Sequence, residues 1–149
     1  MNTKSTVSVC LWCDDNAEEA SRFYTSLIPN SEVISISPVM VTFTLDGVPF
    51  QALNGGPQFK PTEAASIAVS TKNQEDTDRL WSALTADGGL EGRCAWLKDR
   101  FGVSWQIVPQ ILPKLLSSSD RQAADRALQA MLTMSKINIE ALESAFNAS

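Results

Sequence analysis

The sequence predicts an α+β protein: two βαβββ units followed by a helical tail. Three observations carry that prediction. A strand–helix–strands order runs from Val7 to Leu53 and starts again at Ala65. The letters repeat with the order. Asn16–Leu27 laid over Asn73–Leu84 matches Asn, Glu, Arg and Leu, and an aromatic with an aromatic, at an offset of 57. Gly47–Leu53 laid over Gly102–Val108 matches Gly, Val, an aromatic and Gln at an offset of 55. Two matches in one order at nearly one offset point to two copies of one unit. Finally, residues 111–149 lose every strand signal and take up helical spacing. The boundaries expected are 1–110 for the paired domain, with units of about 6–56 and 63–110, and 111–149 for the extension.

Each element has a local reason. Val7–Cys13 is an apolar run that reads as a strand buried on both faces. Ala17, Ala20, Phe23, Tyr24 and Leu27 recur at helical spacing. Asp15 with Glu18, or Asn16 with Glu19, is a candidate cap for that helix. Pro29-Asn30-Ser31 ends it, and Glu32–Ser37 and Val39–Leu45 read as strands parted by Pro38. Asp46-Gly47 signals a tight hairpin returning through Val48–Leu53. Asn54-Gly55-Gly56-Pro57 is a linker turn. In the second copy Ala65–Thr71 is a strand and Asn73–Ala86 a helix with Thr77, Leu80, Trp81 and Leu84 on one face. Arg93–Leu97 and Val103–Val108 read as strands around a solvated turn, Lys98-Asp99-Arg100-Phe101-Gly102. In the tail, Ser119-Asp120-Arg121-Gln122 reads as a capping box and Ala124, Ala127, Leu128, Met131 and Leu132 as an apolar stripe. A last helix starts near Asn138, with Ile137 placed to staple onto Leu142. Such a tail docks on its own domain or on a second subunit.

Composition excludes several classes of function. The chain has 149 residues, 44% of them hydrophobic, enough to build a core rather than stay disordered. No apolar run approaches the roughly 18 residues a spanning helix needs, so no membrane role is expected. The first residues, Met1–Thr6, lack the apolar stretch of a secretion signal, and the expectation is a cytoplasmic protein. Net charge is −5, which argues against nucleic acid as a partner. There is no histidine, which removes His-based catalysis and His metal ligation. Cys10 and Cys13 sit three apart in an expected strand, which would point them to opposite faces, and only Cys94 remains, so no zinc or dithiol site is expected.

Several stretches together resemble the vicinal oxygen chelate (glyoxalase/bleomycin-resistance) superfamily, and its PhnB-like branch more closely. They are Leu11-Trp12 with the Ala-Glu-Glu-Ala helix, Phe23-Tyr24, Pro29–Val33, Leu53–Pro57 and the block Trp96–Pro109, with Leu128–Leu132 in the tail. The resemblance implies a cupped mixed sheet and a homodimer. It also brings the label 3-demethylubiquinone-9 3-methyltransferase. A typical class I methyltransferase carries a glycine-rich loop after its first strand, where this chain has Asp14-Asp15-Asn16.

Enzymes of that superfamily resemble glyoxalase I in holding a divalent metal with His or Glu on the first and last strands of each unit. The repeat places those positions at Val9 and Ser66, 57 apart, and at Gln51 and Gln106, 55 apart. Val9 has no donor atom, and a hydroxyl and two neutral amides are weak ligands for a dication. No metal and no cofactor are expected. The two amides, each with donors and an acceptor, suit a polar group of a small organic ligand. Alternation puts Val9, Leu11 and Cys13 on one strand face as an apolar floor, with Trp12, Phe50 and Trp105 packed under the helices. The expected function is metal-free binding of a small molecule between paired sheet faces. The alternatives are a superfamily enzyme with other chemistry, or the methyltransferase of the label.

Overall fold

The computed structural model describes residues 5–148. Contacts divide it into two compact units, one ending at Pro61 and one beginning at Thr62. In the first, β1 (Val9–Cys13) leads to α1 (Ala17–Leu27), β2 (Glu32–Ile36), β3 (Met40–Leu45) and β4 (Val48–Asn54). The strands lie in the order β1-β4-β3-β2, with β1 parallel to β4 and the others antiparallel. Asp46 and Gly47 both take positive φ, as the two-residue hairpin turn requires.

One face of this sheet carries α1. Val41, Phe43, Leu45, Phe50 and Ala52 alternate onto it and are buried, as are Ala17, Ala20 and Tyr24 of the helix. Phe43 stacks on Phe50 at 5.4 Å between ring centroids, and Tyr24 meets Phe43 at 6.5 Å. β1 is an edge strand rather than a doubly buried one: Val9 is 46% exposed and only Cys13 is buried. The cap of α1 also differs from expectation. Asn16 makes no side-chain cap bond. Ala17 N–H donates instead to Asn54 Oδ1 at 2.9 Å. Asn54 lies beside Cys13 in the parallel ladder, so the end of β4 comes alongside the start of the helix.

The second unit repeats the plan with β5 (Ser66–Thr71), α2 (Gln74–Thr85), β6 (Leu90–Glu91), β7 (Trp96–Lys98) and β8 (Ser104–Pro109), in the order β5-β8-β7-β6. Here the sequence reading is corrected in one respect. The strand expected at Arg93 begins only at Trp96, and the short β6 precedes it. The physical reason is a chain reversal: Cys94 and Ala95 have φ of 54° and 79°, which no strand allows. Asn73 caps α2 by accepting from Asp76 N–H at 2.9 Å. Leu80, Trp81 and Leu84 are buried, and the hydroxyls of Thr71 and Thr77 pair at 2.7 Å between β5 and α2.

The tail belongs to this second unit. It forms α3 (Ile111–Leu116), α4 (Arg121–Met131) and α5 (Ile139–Asn147). Ile137 and Leu142 are fully buried in one cluster with Ala95 and Leu112, which Val108 and Met131 flank. The staple expected at Asn138 is therefore present, and Asn138 caps α5 through Ala141 N–H. The cap of α4 is Asp120 alone, accepting from Ala123 N–H, rather than a box starting at Ser119. Gln74 ties the tail to α2: Ile139 N–H donates to its Oε1 at 2.8 Å, and its Nε2 donates to Ile137 O at 3.0 Å. Lys136 pairs with Asp78 at 2.9 Å. The left-handed Cys94 and Ala95 are held here too, their N–H groups donating to Met134 O and Ser135 O. Strained backbone persists only where the surroundings over-determine it, and the tail supplies that constraint.

Candidate functional site

Each sheet has a helix-free face, and ladder register sorts the residues onto it. In the first sheet Cys10, Gln51 and Thr42 share one row, since Cys10 pairs with Gln51 and Gln51 with Thr42. In the second, Ala68, Gln106 and Trp96 share the corresponding row. Gln51 and Gln106 thus occupy equivalent places on the helix-free faces. Their partners are equivalent as well. Gln51 Nε2 donates to Ser8 Oγ at 3.1 Å, and Gln106 Nε2 donates to Ser66 Oγ at 2.9 Å.

The register moves one predicted position. Cys10 corresponds to Ala68, an offset of 58, so Ser66 corresponds to Ser8 and not to Val9. The helix alignment of 57 misled by one residue because Asp14-Asp15 precede Asn16 where Lys72 alone precedes Asn73. A slip of one residue in a strand exchanges faces. Val9 pairs with the buried Phe50 and Leu11 with the buried Ala52, so both lie on the helix side. The apolar floor expected from Val9 and Leu11 is therefore on the other face. The helix-free face of the first sheet carries the row of Gln51 and Thr42 beside an apolar row of Trp12, Leu53 and Met40. A groove of about 1210 Å³ runs over it, lined among others by Ser8, Glu32, Thr42, Thr44 and Gln51.

The tryptophans divide. Trp105 packs on the helix side, completely buried, with Nε1 donating to Asp99 Oδ2 at 2.9 Å. Trp12 lies on the helix-free face in the row of Leu53, contrary to the expectation that it packs under α1. Its indole rests on Gly55, where an added Cβ would meet Cζ2 at 2.4 Å. Its Nε1 donates to Gly56 O at 2.8 Å, and Phe59 meets it edge-on at 4.9 Å. The glycines of Asn54–Pro57 thus serve the seating of a side chain.

The turn at Asp99 is not a solvated one. Asp99 is 3% exposed, and its Oδ1 accepts from Phe101 N–H at 2.8 Å and Val103 N–H at 3.0 Å. Arg100 lies over the Phe101 ring at 4.7 Å. Lys98 belongs to β7 and pairs with Glu63, whose carboxyl is held below the usual range by that hydrogen bond and charge. Asp78 is lowered likewise, by hydrogen bonds from Gln74 and Lys136. A second groove of about 1020 Å³ lies among α2, α3 and α5, where Lys72, Lys114 and Lys136 are offset by Asp78, Glu140 and Glu143.

A divalent metal does not fit these faces. The residues at first- and last-strand positions are serines and glutamines, neutral donors that hold a dication far more weakly than imidazole and carboxylate. Among the described residues no three of His, Cys, Asp and Glu come together. No helix among them is long and apolar enough to cross a membrane.

Two βαβββ units with a parallel pair at one edge of each sheet are the fold of glyoxalase/bleomycin-resistance proteins. A crystal structure of such a protein from Albidiferax ferrireducens matches with a TM-score of 0.53 at 16% identity, covering 71% of this chain and 99% of that one. The family model for 3-demethylubiquinone-9 3-methyltransferase matches residues 5–108, and the chain belongs to that PhnB-like family. A PhnB protein from Bacillus cereus, provisionally described by the same methyltransferase name, is 29% identical with a TM-score of 0.66. It covers 70% of this chain, which spans 99% of it. A protein from Pseudomonas aeruginosa matches at 19% identity and a TM-score of 0.56, over 71% of this chain and 98% of that one. No curated protein matches the sequence.

Proposed function

We propose that the helix-free sheet faces bind a small organic molecule through their glutamine–serine pairs, without the divalent metal of glyoxalase-type enzymes. The observation that carries this reading is the duplication. Gln51 with Ser8 and Gln106 with Ser66 occupy one register and make one hydrogen bond in both units. Each pair spends one amide N–H internally. That leaves the amide oxygen, a second N–H and the serine hydroxyl for a polar group of a ligand. The methyltransferase description of the family has less behind it. Asp14-Asp15-Asn16 follow β1, and Gly55 and Gly56 are taken up with Trp12. A homodimer is part of the proposal, on the ground of the family resemblance.

Native mass spectrometry of freshly purified protein tests the reading. The expected spectrum shows a dimer that retains an organic mass and no stoichiometric metal. A double Gln51→Leu, Gln106→Leu variant should lose that mass. Stoichiometric divalent metal in the parent, or a mass retained equally by the variant, would overturn it.

A further inference from the structure

We propose that the helix-free face of the second sheet takes a planar aromatic carboxylate, with Lys98 as the cationic partner and Glu63 as the internal anion that the ligand displaces. The proposal rests on the reading above and names the ligand class for one of its two faces. Two adjacent rows cross this sheet. The first runs Ser66, Ser104, Lys98 and Leu90, by the pairings of β5 with β8, β8 with β7 and β7 with β6. The second runs Ala68, Gln106 and Trp96. The rows lie about 7 Å apart, two residues along a strand.

The first row is rich in donors and already holds an anion. Lys98 pairs with Glu63, which stands in the loop before β5 with its side chain 62% exposed. Beside Lys98 in the ladder, Ser104 is 1% exposed and its hydroxyl has no hydrogen-bond partner. It is the one such buried side-chain group among the described residues. An unmade buried hydrogen bond is costly, and a hydroxyl donates readily to a carboxylate. A carboxylate arriving on Lys98 would satisfy both, and an exposed loop carboxylate is readily displaced. The second row supplies the surface for a ring: Trp96 is half-buried and Ala68 exposed and small. A bicyclic acid such as 2-naphthoate spans the two rows, its carboxylate at Lys98 and its far ring against Trp96.

Tryptophan-fluorescence titration of the full chain with 2-naphthoate and with neutral 2-naphthol tests this. Naphthoate should bind at least tenfold more tightly than naphthol. Lys98→Met should abolish that preference and leave naphthol binding as it was. Glu63→Gln should tighten naphthoate several-fold by removing its competitor. Ser104→Ala should weaken naphthoate while leaving the fold intact by circular dichroism, because it deletes an unpaired group. Equal binding of acid and alcohol, or a preference that survives Lys98→Met, would refute the carboxylate assignment and leave the glutamine–serine reading standing. If neither compound binds the parent, this inference fails, and the retained mass of the glutamine variants decides separately whether that reading fails with it.

Discussion

Replacing Asp99 by alanine should destabilise the second unit by about 3–5 kcal/mol. The figure follows from what the carboxylate holds. Its two oxygens accept from Phe101 N–H, Val103 N–H and Trp105 Nε1–H at 2.8, 3.0 and 2.9 Å. Both Asp99 and Trp105 are buried, so water cannot replace the lost acceptor without repacking. A hydrogen bond to a charged group is worth roughly 1.5–3 kcal/mol, and the three are not additive because they share one side chain. Asp99→Asn is the sharper variant. Its amide oxygen can keep the two backbone donors, but its NH2 then faces the indole N–H, donor against donor. A cost of about 2 kcal/mol is expected. The assay is urea unfolding followed by tryptophan emission. With m near 2 kcal/mol/M, the midpoint should fall by roughly 1.5–2.5 M for the alanine variant and about half as much for asparagine. An alanine variant that unfolds within about 0.3 M of the parent would refute the argument.

Other outcomes follow from the same geometry. Gly55→Ala should drive the Trp12 indole off its seat, since the new Cβ would lie 2.4 Å from Cζ2; near-ultraviolet circular dichroism and a red shift in emission would report it. Asn54→Ala should cost about 1–2 kcal/mol, the value of a helix cap, although the residue lies far in sequence from α1; Asn16→Ala, which removes no cap bond, should cost under about 0.5 kcal/mol by the same denaturation. Leu142→Ala, at a fully buried position, should cost about 2–4 kcal/mol and open α5 to hydrogen exchange. Acid should loosen the tail only below the ordinary carboxylate range. The Asp78 carboxyl is lowered in the fold, so its contribution is complete above the unfolded value near 4 and is lost as pH falls through the lower folded value. Asp78→Asn should flatten that acid limb of the stability curve, and an unchanged limb would assign it to other groups.

Much of the fold was legible because its signals are periodic and local. The helix repeat, the Asp46-Gly47 turn and the Ile137–Leu142 staple each depend on residues a few positions apart, and each is found where the spacing put it. The glutamines were legible for the same reason: a repeat in letters marks equivalent positions even when their neighbours are unknown. What failed was cross-strand. Val9 was matched to Ser66 because the helix offset was carried into the strand, and the extra residue before Asn16 reversed the face. The cap from Asn54 and the row joining Ser104 to Lys98 involve residues brought together by pairing, which no local pattern encodes. Asp99 read as a solvated turn because a charged triplet before a glycine shows neither its backbone donors at Phe101 and Val103 nor the Trp105 indole that seals it from water.

The sequence by itself determined the α+β class, the duplication, the lack of histidine and the equivalence of the neutral amides Gln51 and Gln106. Those follow from composition and from periods of 2 and 3.6 residues, which survive without knowledge of any partner strand. Only the tertiary structure decided which face each side chain takes, that the tail completes the second unit, and that Lys98, Ser104 and Trp96 lie together. The reason is register: a strand alternates faces with each residue, so one residue of loop length, invisible as a pattern, turns a core side chain into an exposed one.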